Sequence, residues 1–183
     1  MLTTRIKMTY NDYAKLPDEQ RYELIDGELL ITLSATTPHQ RASRNLYDRL
    51  SDYINKNDLG EIFFAPLDVL LSDHDVVQPD LLFVSKSRKS IIHEKNIQGP
   101  PDLVVEIVSP THRERDHFVK KDLYARYGVQ EYWLVDLQKK WIEVLKLAEN
   151  KYELVGIFSG LDTLSTPLLS ELNLEVSGVF RGL

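Results

Sequence analysis

Two acids sit in unexpectedly apolar company. Asp80 opens the run Leu81-Leu82-Phe83-Val84 directly after Pro79, and Glu106 lies inside Leu103-Val104-Val105-Glu106-Ile107-Val108. Side chains alternate faces along a strand, so Glu106 has apolar neighbours on its own face as well as the other. A carboxylate buried alone as an ion is strongly disfavoured, so each acid must be paired, protonated or bound to a cation. An ion pair, or a strand end that reaches water, is the plainer account of one such acid; two on adjacent strands point towards a shared site. Asp116, Lys120 and Tyr124 follow at i, i+4 and i+8 on one helix face, beside an apolar stripe of Val119, Leu123 and Tyr127. Lys120 can then reach the strand at 102–108. Alone, Asp116–Lys120 is a surface pair worth about 0.3–0.5 kcal/mol. In combination, these residues describe phosphodiester cleavage. Two carboxylates hold a hard divalent cation, Mg²⁺ or Mn²⁺. The ion polarises a phosphate and activates water, and a Lys holds that water or stabilises charge developing on the phosphate.

Other chemistries find little support. No G-x-G-x-x-G or G-K-[ST] phosphate loop and no G-x-S-x-G elbow occurs. His112 and His117 are five residues apart, about 140° round a helix, whereas paired metal ligands want i, i+4. The chain has no Cys, which excludes a thiol nucleophile, a Cys-ligated zinc and a disulfide scaffold.

The elements that must position these residues read as an α/β (α+β) domain with a central mixed sheet flanked by helices. Residues 9–19 suggest a short helix. Asp26-Gly27 between Tyr22–Ile25 and Glu28–Leu33 is a hairpin signal, because both turn residues need positive φ. Thr36-Thr37-Pro38 caps a helix that runs to about Asn57, with Ala42, Leu46, Leu50, Tyr53 and Ile54 on its apolar face. Extended segments follow at 61–71, 79–84 and 102–108, then a helix over 112–127 ended by Gly128, and a strand at 131–136. The length from 102 to 136 suits a crossover between parallel strands. Residues 141–147 and 151–157 form an antiparallel extension.

At 183 residues, 43% hydrophobic and 27% charged, the chain is expected to form a single domain over 1–183. No apolar run is long enough to span a membrane, and Met1–Lys7 lacks the apolar centre of a signal peptide, so a soluble cytoplasmic protein is expected. With 22 Lys and Arg against 28 Asp and Glu, the net charge is −6. Proteins that bind nucleic acid chiefly by neutralising phosphates are usually basic. The acidic balance therefore weighs more against a passive binder than against an enzyme that carries its own divalent cation.

Five ordered blocks carry a resemblance: Tyr22–Leu29 (YELIDGEL), Ala65–Val69 (APLDV), Val77–Val84 (VQPDLLFV), Pro101–Pro110 (PDLVVEIVSP) and Gly128–Asp136 (GVQEYWLVD). Together they resemble the Uma-two family, endonucleases of the PD-(D/E)xK, restriction-endonuclease-like superfamily, over roughly residues 10–180. The resemblance implies a helix–three strands–helix–strand core, here 38–57, 61–71, 79–84, 102–108, 112–127 and 131–136. It implies that Asp80 and Glu106 bind the metal, with the backbone carbonyl of Ile107 as a further ligand. The superfamily Lys two residues after the Glu is missing, since Val108 stands there. The resemblance assigns its role to Lys120, in agreement with the facing argument; Lys121 points about 100° away. Gln78 alternates with Asp80 and could bind the water or phosphate, a plain sheet-edge amide being the alternative. His39 and Glu28 resemble positions lining the cleft, with a cap-region or surface group as the alternative for each, and Tyr124 could hydrogen-bond the site or simply pack. Lys86, Arg88, Lys89, Arg113 and Arg115 are candidate phosphate contacts, with a solvated basic face as the plainer account.

The expected function is a metal-dependent nuclease acting on DNA, working as a homodimer because duplex cleavage needs two sites. Lys120→Ala is expected to fold normally and lose about 10²–10³-fold activity. The alternative is a catalytically inactive nuclease-fold module that binds DNA. A glycosidase acid pair is a third reading, but no aromatic sugar platform lies near the acids and the helix Lys would have no task.

Overall fold

The computed structural model describes residues 7–17, 19–108 and 115–183, with side chains from Phe118 onward in the last stretch. A short helix, α1 (Tyr10–Tyr13), leads to the hairpin β1 (Arg21–Ile25) and β2 (Glu28–Thr32), whose turn places Asp26 and Gly27 at φ 50° and 77°, as the Asp-Gly pair requires. Helix α2 (Thr37–Lys56) starts from Thr36, whose hydroxyl accepts from the His39 N–H, with Pro38 in the first turn where a missing donor does no harm. Its Ala42, Leu46, Leu50 and Ile54, four residues apart, are wholly buried.

Next come β3 (Gly60–Phe64), β4 (Val69–Ser72), β5 (Asp75–Val77), β6 (Leu81–Ser85), β7 (Ile97–Gln98) and β8 (Leu103–Val108). A π-helical segment (Arg115–Lys120) runs into α3 (Lys121–Tyr127), which Gly128 ends in the left-handed region at φ 82°. Then follow β9 (Glu131–Asp136), β10 (Trp141–Ala148), β11 (Lys151–Ser159) and the short pair β12 (Thr163–Leu164) and β13 (Leu174–Glu175).

Six strands make a mixed sheet in the order β11-β10-β9-β8-β6-β3, in which β8 and β9 run parallel and the other pairs antiparallel. Every residue of β8 and β9 is buried, which is why these strands read as nearly unbroken apolar runs. One face carries Leu103, Val105, Ile107, Leu81 and Phe83 against α2 and the C-terminal segment. The other carries Val104, Val108, Leu82 and Leu134 against α3 and a second sheet. Alternation puts Glu106 with Val104 and Val108, on the α3 side.

That second sheet, in the order β2-β1-β5-β4-β7, escapes a pattern reading because β5 and β7 have only three and two residues. It also corrects the expected single strand over 61–71. The ladder of β3 stops at Phe64, Pro66 has no N–H to extend it, and the chain crosses to the other sheet as β4. The helix expected over 112–127 begins among residues outside the description; from Arg115 its first part is π-helical. Among the described residues no helix is long and apolar enough to cross a membrane.

Candidate active site

Glu106 meets its partners on the α3 face of β8. Its Oε1 accepts from the Lys120 ammonium at 2.9 Å and from the Tyr124 hydroxyl at 2.7 Å. Lys120 also donates to Glu23 Oε1 on β1, at 2.8 Å. All four residues are buried, Lys120 with 3% of its surface exposed, Glu23 with 1% and Glu106 with 5%. Burial and the adjacent charges of Glu106 and Glu23 push the Tyr124 hydroxyl well above the ordinary tyrosine range, so it stays a donor, while its ring packs at a tilt against Tyr132. Both uses expected of Tyr124, bonding and packing, thus coexist. Lys121 borders a surface cleft with Asp122, Arg126, Lys151 and Tyr152 instead.

Glu23 is the residue that the pattern reading missed. Its signal is the same as that of Glu106, an acid inside an apolar strand, here Tyr22-Glu23-Leu24-Ile25. Its Oε1 additionally accepts from the Gln78 N–H at 3.0 Å, which ties the hairpin to the segment that leads to Asp80. A cation between two buried carboxylates also revises the expectation that Lys120→Ala folds normally: the variant would leave both acids buried and unneutralised by it.

Asp80 stands one residue before β6. Leu81, the residue after it, pairs with Val105, the residue before Glu106. Asp80 Oδ2 accepts from the Ile107 N–H at 2.8 Å and lies 3.0 Å from His39 Nε2 at the start of α2. The N–H and C=O of a strand residue point the same way, so the Ile107 carbonyl lies on the Asp80 side of β8. Burial opposes charge on that ring and Arg21 repels it, but the hydrogen bond and charge of Asp80, helped by the Ile107 carbonyl, hold the pKa above its usual 6.5. The other ring nitrogen, Nδ1, is buried without a partner among the described residues.

The remaining candidates diverge. Gln78 does not turn its amide to the same place as Asp80: its Nε2 donates to Asp68 Oδ1 at 2.8 Å and its Oε1 accepts from Arg21 Nε at 3.3 Å. Residues 78–80 bridge the two sheets outside any strand, so strict alternation fails there. Glu28 is exposed at the turn end of the hairpin, outside the hydrogen bonds that join Glu23, Lys120, Glu106 and Tyr124. The expected basic contacts also move. Lys86, Arg88 and Lys89 follow β6, whereas Asp80 precedes it, a separation of roughly 20 Å at about 3.3 Å per residue. They pair there with Asp58, Asp102 and Glu61. Arg113 and the side chains of Arg115 and Asp116 lie outside the described residues.

What could such a site hold? Among the described residues no three His, Asp or Glu side chains converge to make a cage for an ion. A side-chain cage is not what Mg²⁺ requires, since it binds through one or two carboxylates and keeps several waters. Asp80 and Glu106 offer hard oxygen donors of that kind. The donor set fits.

Comparison with known proteins agrees with this architecture. The fold resembles the crystal structure of "a putative nuclease belonging to DUF820" from Anabaena variabilis ATCC 29413, with a TM-score of 0.78 and 20% identity over 94% of this chain and 97% of that one. No curated protein matches the sequence. The family model described as "Putative restriction endonuclease" matches residues 10–177, nearly the whole length. The chain belongs to that family, Uma2, a family of nucleases.

Proposed function

We propose that the protein is a divalent-metal-dependent nuclease that hydrolyses DNA phosphodiester bonds. The observation that carries the reading is the buried cluster in which Lys120 bridges Glu23 and Glu106, beside Ile107, whose N–H donates to Asp80. Asp80 and Glu106, with the Ile107 carbonyl, would hold Mg²⁺ or Mn²⁺, which when bound polarises the phosphate and lowers the pKa of a water. The protein's own groups orient and neutralise. The Ile107 N–H and His39 fix the Asp80 carboxylate, and Tyr124 and Lys120 fix that of Glu106. Lys120, itself located by Glu23, places positive charge where negative charge grows as water oxygen joins phosphorus and the sugar oxygen leaves. A homodimer, one site per strand, is the assembly that duplex cleavage favours.

Supercoiled plasmid tests the reading. The wild type is expected to nick or linearise it with Mg²⁺ or Mn²⁺, and EDTA or Asp80→Asn is expected to reduce the rate about 10²-fold or more, above the usual effect of losing an outer-shell partner. Nicking that persists unchanged in EDTA, or in Asp80→Asn, would refute it.

A further inference from the structure

A nucleic-acid site also needs cations for the backbone phosphates that flank the reacting one, and Lys120 is committed to Glu23 and Glu106. Lys86, Arg88 and Lys89 pair with acids at the far end of β6. Arg21 is placed differently. It opens β1, which pairs with β5 through Leu24 and Val76, and it reaches the segment that leads from β5 to Asp80. Its Nε donates to Gln78 Oε1 at 3.3 Å. Gln78 is fixed in turn, since its Nε2 donates to Asp68 Oδ1, which also accepts from the Tyr13 hydroxyl at 2.9 Å. The guanidinium is therefore held by one nitrogen, and its two terminal nitrogens make no hydrogen bond or ion pair among the described residues. Arg21 is only half-buried, and its charge is felt by His39, the ring that contacts Asp80. A guanidinium presents a planar fork of donors that suits phosphate oxygens.

We propose that Arg21 binds a backbone phosphate of the nucleic acid beside Asp80, with Gln78 and Asp68 as the support that aims it. This rests on the nuclease reading and adds a substrate contact to it. The test is the salt dependence of binding of a fluorescent DNA duplex, measured by anisotropy in EDTA so that no cleavage intervenes. Arg21→Gln is expected to weaken binding and to flatten the slope of log affinity against log salt by about 0.9, one phosphate contact. Arg21→Lys, which keeps the charge, is expected to retain most of the slope. A merely structural role would move the unfolding temperature but leave the slope alone. Plasmid nicking by the wild type runs alongside. Nicking with an unchanged slope in Arg21→Gln overturns the Arg21 contact and leaves the nuclease standing. A flattened slope without nicking supports the contact and removes the nuclease. A wild type that binds no duplex overturns the contact.

Discussion

Lys120→Ala is expected to lose about 10²–10³-fold in plasmid nicking, the effect of removing one preorganised donor from a transition state. It is also expected to be the least stable of the site variants. Lys120 neutralises two carboxylates that are themselves buried, and removing one partner of a buried pair costs about 3–5 kcal/mol. Activity and stability must therefore be read separately, with rates measured only where denaturation curves show the variant folded. A variant that is folded, as stable as wild type and fully active would remove Lys120 from the mechanism.

Glu106→Ala is expected to abolish nicking, a loss of about 10³-fold or more if Glu106 both binds the cation and locates Lys120. Its cost in stability should be smaller than that of Lys120→Ala, for a reason of charge. Loss of Glu106 leaves Lys120 paired with Glu23 and Tyr124 without its acceptor, whereas loss of Lys120 leaves two like charges near one another. Urea denaturation of both variants checks the ranking. The opposite order would mean that the ammonium is not the charge that holds this cluster together.

Much of the frame was legible because its signals are local. The Asp-Gly turn, the four-residue spacing of Ala42, Leu46, Leu50 and Ile54, and the apolar runs of β8 and β9 each follow from nearest neighbours on one face. What stayed hidden depends on distant partners. Phe64 to Leu71 looks continuous with the preceding strand, yet it changes sheets, because the second sheet is assembled from pieces too short to show a period. Glu23 is some eighty residues from Glu106, and nothing in its own hairpin says that it shares a cation with a helix near the middle of the chain. The Lys86–Lys89 cluster shows the converse. Its charges are conspicuous in the sequence, but Asp58, Glu61 and Asp102 answer them in the fold. Gln78 was placed by alternation on a segment that is not a strand.

Calorimetric titration of Mn²⁺ into metal-free protein tests the central claim most directly. A saturable site in the wild type, lost in both Asp80→Asn and Glu106→Ala while each remains folded, is the result this account predicts. No saturable heat in the wild type, or binding of equal strength in both variants, would contradict it and favour a nuclease-like fold that grips DNA without cutting it.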